Sequence, residues 1–101
     1  PRRAGGRILF GARTAIGISE FERARELAPS DMLIPLHLAI ALLSTDAAAN
    51  ARRVAPLLDI VLSNHPADAL ESLGQRTARR LQAALAESPR AAQRAARETL
   101  L

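Results

Sequence analysis

The longest apolar run in the chain, Met32-Leu33-Ile34-Pro35-Leu36-His37-Leu38-Ala39-Ile40-Ala41-Leu42-Leu43, constrains everything around it, and its single ionisable residue is His37. A helix that crosses a bilayer needs about 20 apolar residues, so a run of this length reads as a helix enclosed by protein on most sides. The rest of the chain must supply the surfaces that cover it. With 101 residues there is chain for one domain, and a domain of that size buries roughly 60–65% of its unfolded surface. Alanine and leucine dominate, β-branched residues are sparse, and Phe10 and Phe21 are the only aromatics. Such a composition favours helices over strands. The expected fold is all-α: a compact bundle of about five helices over residues 8–101, preceded by a flexible basic arm at residues 1–7.

Periodicity and breakers place the helices. Phe10, Thr14, Gly17, Phe21, Ala24 and Ala28 recur at spacings of three and four, which draws one buried stripe on a first helix from Ile8–Gly11 to about Leu27. Pro29-Ser30-Asp31 breaks it. The second helix begins with Pro35 in its first turn, where a missing N–H is harmless, and ends near Ser44. Ser44-Thr45-Asp46 offers N-cap chemistry for a third helix, Ala47 to about Leu57, with Pro56 expected to kink or stop it. Ser63-Asn64-His65-Pro66 reads as a cap with proline at the first helical position, opening a fourth helix that runs to Glu87. Its expected buried stripe is Leu70, Leu73, Thr77, Leu81, Ala84 and Leu85, with Glu71, Gln75, Arg79 and Gln82 facing water. Ser88-Pro89 opens a last helix whose Ala91, Ala92, Ala95 and Ala96 permit close packing but bury little area, so it is expected to be weakly held.

Composition also excludes several kinds of chemistry. There is no cysteine, hence no disulfide and no thiolate metal site. The two histidines and scattered acids do not fall at metal-ligand spacing, and the serines sit at caps and loops rather than beside a base. All 14 basic residues are arginine, so the lysine of a phosphate-binding loop is missing. No enzyme activity, metal or cofactor is expected. A charged segment, an apolar segment and a small-residue cleavage site do not follow one another as in a signal peptide, which makes the cytoplasm the default location.

The net charge of +4 is uneven: residues 1–13 carry four arginines and no acid, and residues 67–101 carry six arginines against four acids. A nucleic-acid footprint concentrates charge on one face or arm, and Pro1-Arg2-Arg3-Ala4-Gly5-Gly6-Arg7 is the segment that could act so. The strip Arg76, Arg79 and Arg80 with Arg90, Arg94 and Arg97 either meets an acidic partner or forms solvated helix faces.

Phe10-Gly11-x-x-Thr14, a long helix, a short polar break and then His37-Leu38-Ala39-Ile40-Ala41-Leu42-Leu43 together resemble the Clp N-terminal repeat that opens a family of AAA+ unfoldases. Ala51-Arg52-Arg53-Val54 is similar to that repeat's third-helix segment, and Ser88-Pro89-Arg90-Ala91 resembles the opening of a second copy. The resemblance implies a Clp-N-like single repeat plus the start of a second, and a non-catalytic protein–protein interaction module. Its implied partner is a substrate, an adaptor or a Clp-type unfoldase, bound at Phe10, Gly11, Thr14, Leu36 and His37. Two departures stand out. Family members pair two repeats, so a single repeat leaves an apolar face open and could pair with a second chain about a twofold axis. Leu36 and Gly11 stand where some relatives carry the glutamate and threonine that grip phosphorylated arginine, so that recognition is not carried over. Phe10 either faces a partner groove or anchors the core, and His37 is either a ligand-facing group or a ring bonded to a backbone carbonyl. The alternative function is a small helical DNA-binding or regulatory domain using the basic arm. No membrane association is expected.

Overall fold

The computed structural model describes residues 14–100, with side chains from residue 18 onward. They form four helices: α1 (Thr14–Leu27), α2 (Leu33–Ser63), α3 (Ala69–Glu87) and α4 (Pro89–Thr99). The all-α expectation holds among these residues, and the helix count is four rather than about five. The expected helix start at Ile8–Gly11 and the arm at 1–7 lie outside the described residues.

The difference in count arises at Asp46, whose backbone leaves the helical region inside α2 (φ −162°, ψ 92°). A straight helix as long as α2 would run roughly 46 Å at about 1.5 Å per residue, whereas the longest extent of the fold is 35 Å. Asn50 Nδ2 donates to the Leu42 carbonyl at 3.2 Å, a reach that a straight helix denies to residues so far apart in sequence. Its two arms, residues 33–45 and 47–63, therefore fold back on each other as a helical hairpin. The third helix touches both arms: Gly74 lies against Leu33 and Leu36, and the Gln75 amide donates to the Val61 carbonyl.

Local polar groups hold the turn. Asp46 accepts from the Ala49 N–H at 3.1 Å, which caps the second arm. The Ser44 and Thr45 hydroxyls both donate to the Ala41 carbonyl. Side chains of α4 bond two further backbone groups of the turn. Gln93 Oε1 accepts from the Ala47 N–H at 3.0 Å, and Arg97 Nε donates to the Ser44 carbonyl at 3.0 Å. Buried backbone groups left without a partner are costly, so these two side chains, one helical turn apart, tie α4 to the hairpin tip. The expectation that the last helix is weakly held is thus corrected: Ala92, Ala95 and Ala96 are buried against the core. Its opening follows the expected pattern, with Ser88 Oγ accepting from the Ala91 N–H and Pro89 in the first turn.

The core is built around the first arm of α2. Leu38, Ala39, Ile40, Ala41, Leu42 and Leu43 are all buried. Facing them are Val54, Leu57, Leu58 and Val61 of the second arm, Ala78 and Leu81 of α3, and the alanines of α4, while Ile18 and Phe21 of α1 pack at the edge. Each fully buried leucine, isoleucine or valine contributes about 1.5–3 kcal/mol. By length and composition α2 could span a membrane, with an 18-residue window of mean hydropathy 1.3, but 56% of that window is buried within the fold. The break at Asp46 and this burial are features of a core hairpin.

Three further expectations are corrected. Pro56 does not stop its helix, which continues to Ser63; burial of Leu57, Leu58 and Val61 offsets a proline cost of roughly 3 kcal/mol. Helix α3 starts at Ala69 rather than Pro66, because Asp68 is the residue whose side chain caps it, accepting from the Glu71 N–H at 2.8 Å. Glu71 in turn accepts from the Ala67 N–H at 2.8 Å, completing a reciprocal cap. Finally, α3 is rotated from the expected orientation. Its buried residues are Gly74, Gln75, Ala78 and Leu81, whereas Leu70 and Leu73 are exposed.

A repeat becomes visible once the hairpin is recognised. Pro29-Ser30-Asp31-Met32-Leu33-Ile34-Pro35-Leu36 leads into α2, and Pro66-Ala67-Asp68-Ala69-Leu70-Glu71-Ser72-Leu73 leads into α3, 37 residues later. The aspartates act differently: Asp31 accepts from the Leu33 N–H two residues on at 3.0 Å, whereas Asp68 is the cap and accepts from the Glu71 N–H three residues on. The α3–α4 pair also folds back on itself, bringing Arg80 to Glu98 in an exposed ion pair. The described chain is thus α1 followed by two helical hairpins in tandem.

Candidate functional site

The packing of α3 beside the first arm of α2 leaves a groove between them. Leu33, Leu36, His37 and Ile40 form one wall, Leu70, Leu73, Gly74 and Thr77 the other, with Thr99 of α4 at one end, around a volume of about 190 Å³. Gly74 makes the close approach possible. A Cβ there would sit 2.9 Å from Leu33 Cδ2 and 3.2 Å from Leu36 Cδ2, so any larger residue pushes the two helices apart. At the rim, Leu70 is 61% and Leu73 51% exposed. Apolar side chains of this size, side by side at the edge of a groove, are the kind of surface a partner helix covers.

His37 lies on the opposite side of the groove floor from these leucines in sequence register, and its ring packs on Phe21 of α1, with centroids 5.7 Å apart and planes tilted by 59°. The residue is exposed overall, yet the protein around its ring removes enough water to lower its pKa below 6.5, and Asp31 opposes this only in part. Among the described residues the ring makes no hydrogen bond, and its contact is the Phe21 ring. Leu36 is buried, at 4% exposure, and serves as groove floor rather than as a projecting contact. Thr14 opens α1, with its side chain outside what is described; Phe10 and Gly11 lie outside the described residues. The structure therefore brings Leu36 and His37 to one groove. Its exposed leucines, Leu70 and Leu73, are ones that spacing assigns to the core, and no signal in the sequence separates them from it.

The arginine strip divides by role. Arg97 is spent on the hairpin tip and Arg80 on Glu98. Arg90, Arg94 and Arg97 line an open depression beside Ala48 and Gln93; Arg76 and Arg79 are exposed on α3. Another ion pair, Arg53 with Glu22, ties α1 to the second arm of α2; exposed as it is, it is worth at most about 1 kcal/mol. No group of three or more metal-ligating side chains occurs among the described residues. In comparisons with known protein families, curated proteins and solved structures, the chain matches none.

Proposed function

We propose that this chain is a non-catalytic protein-interaction module that docks a partner segment in the groove between α2 and α3. The observation that carries the reading is the exposure of Leu70 and Leu73 over an apolar floor of Leu36 and Ile40. Leucines half exposed at this position forgo half of the roughly 1.5–3 kcal/mol that full burial supplies, about 1 kcal/mol or somewhat more each, which a partner recovers. The sequence likeness to the Clp N-terminal repeat supports a substrate, an adaptor or a Clp-type unfoldase as the partner. A chain that offers one such face can also pair with a second copy about a twofold axis.

A second reading has its own observation. The Pro-x-Asp-x-Leu-x-x-Leu segments that open α2 and α3 recur at 37 residues, a spacing within the range of about 34 to 47 residues typical of stacked helical-hairpin arrays; the turns of the two hairpins, at Asp46 and Ser88, are spaced more widely. Such arrays are also interaction scaffolds, so both readings place binding at the same groove and differ in the architecture that carries it. The basic-arm alternative, DNA binding, would show a steep loss of affinity with salt.

The test is a photo-crosslinking residue placed at position 73 of the full chain in its native cell, with position 79 on the exposed face of α3 as the comparison. The reading expects discrete adducts at 73 that are absent at 79 and lost with Leu70→Glu. Identical adduct patterns at the two positions would refute it. Purified Clp-type unfoldase, added to the same labelled chain, tests that class of partner directly.

A further inference from the structure

Helix α4 carries Arg90, Arg94 and Arg97 at spacings of four and three residues. That spacing stacks the three side chains on one face, along about 10 Å of helix. All three line an open depression of about 650 Å³, together with Gln93 and with Ala48 from the second arm of α2. Like charges one turn apart on a helix repel, and nothing in α4 neutralises these. Glu98 is the only acid of that helix, and it pairs with Arg80 of α3 at 2.5 Å. The ion pairs among the described residues are that one and Arg53 with Glu22, so neither Arg90 nor Arg94 has an acidic partner there.

Two of the lining side chains are tethered, which distinguishes this face from a merely solvated one. Arg97 Nε donates to the Ser44 carbonyl at 3.0 Å, which orients the guanidinium and leaves its Nη donors to a ligand. Gln93 Oε1 accepts from the Ala47 N–H at 3.0 Å, so its amide NH2 is likewise held in place. Donors that the fold has already ordered lower the entropic cost of engaging them.

We propose that this depression binds an acidic segment of a partner protein, with its carboxylates laid along Arg90, Arg94 and Arg97. A guanidinium fork matches a carboxylate through two parallel hydrogen bonds. The three forks are spread along the helix rather than gathered on one point, so a segment with several carboxylates fits them and a lone anion does not. The surroundings favour protein over nucleic acid. Residues 14–101 carry ten arginines and ten acids, so this part of the chain has no net charge to draw a phosphate backbone, whose binding rests on many phosphate contacts. The depression shares no lining residue with the α2–α3 groove. It is therefore a surface additional to the one proposed above and does not rest on it.

The test is fluorescence anisotropy of a labelled octaglutamate peptide titrated with the full chain at low ionic strength, with duplex DNA as the rival polyanion. The proposal expects saturable binding of octaglutamate that weakens as salt is added. Arg90→Gln combined with Arg94→Gln should weaken it by about tenfold or more, through the loss of two charge-assisted contacts. Arg76→Gln combined with Arg79→Gln removes the same charge from the exposed face of α3, and should change the affinity by less than about twofold. All four positions are exposed, so both variants should keep the circular dichroism and thermal midpoint of the parent. Arg97 is left intact because it holds the α2 turn. The proposal is overturned if octaglutamate does not bind, or binds the Arg90, Arg94 variant no more weakly than the Arg76, Arg79 variant. Duplex DNA that binds more tightly than octaglutamate, with the same dependence on Arg90 and Arg94, would also overturn it, since the face would then read phosphate.

Discussion

Gln75 is the residue whose replacement separates the observed orientation of α3 from the one its spacing suggests. Its side chain is 6% exposed, and its amide donates to the Val61 carbonyl at 3.1 Å and to the Asn64 carbonyl. Both carbonyls sit at the end of α2, where the last four C=O groups of a helix lack partners of their own. The neighbouring ones are already served locally: Ser63 Oγ donates to Asp59 and Asn64 Nδ2 to Ile60. Gln75→Ala removes two hydrogen bonds worth about 0.5–1.5 kcal/mol each and leaves an acceptor buried. The expected loss is about 2–3 kcal/mol. In a domain of this size that lowers the thermal midpoint by roughly 8–24 °C, read by far-ultraviolet circular dichroism and by urea titration. Gln82→Ala is the control, since Gln82 is exposed and bonds only Asp59 at 3.2 Å; a surface change of that kind stays within about 0.5 kcal/mol. Equal and small losses for the two variants would refute the reasoning and place Leu73, rather than Gln75, against the core.

Other predictions follow from the same contacts. Gln93→Ala and Arg97→Ala should each destabilise by about 1–2 kcal/mol, because each leaves a backbone group at the α2 turn unpaired. A double-mutant cycle with Asp46→Ala should show coupling, since all three act on one turn. Gly74→Leu should cost about 1–3 kcal/mol through overpacking against Leu33 and Leu36, measured by urea titration, and no loss would contradict the close approach. His37 has its folded pKa lowered from 6.5, chiefly by desolvation, so in the window below that value the unfolded chain binds more protons. Its contribution to stability is therefore full above the unfolded value and lost as pH falls through the folded one. Thermal melts between pH 7.5 and about 5 should show this decline, and His37→Gln should flatten it; an unchanged slope would discount the ring's desolvation.

Much of the fold was legible in the sequence. The Met32–Leu43 run marked the buried arm, Pro29-Ser30-Asp31 marked the end of α1, and Ser88-Pro89 marked the start of α4, because caps and prolines act through the local backbone. Asp46 reads as a cap from the sequence, but spacing alone could not show that the chain reverses there, with its backbone leaving the helical region at one residue. The orientation of α3 was misread for a related reason. Leu70, Leu73 and Leu81 look equivalent by hydropathy, and only the tertiary partners decide which are covered: Gly74 against Leu33, and Gln75 against the end of α2. A buried glutamine carries no hydropathy signal, so its place in the core was invisible without its carbonyl partners. Of the candidate site, Leu36 and His37 were found through a resemblance, whereas the exposed leucines opposite them were found through packing.

The central claim is that the α2–α3 groove is a surface for a protein partner, and Leu73→Glu tests it with little disturbance to the fold. Residue 73 is half exposed, so the variant should keep its stability within about 0.5 kcal/mol of the parent. Crosslinking from a probe at position 70 in the native cell should then lose its adducts in the variant while circular dichroism and the thermal midpoint stay as they were. Adducts that persist unchanged in a folded Leu73→Glu chain would contradict the account.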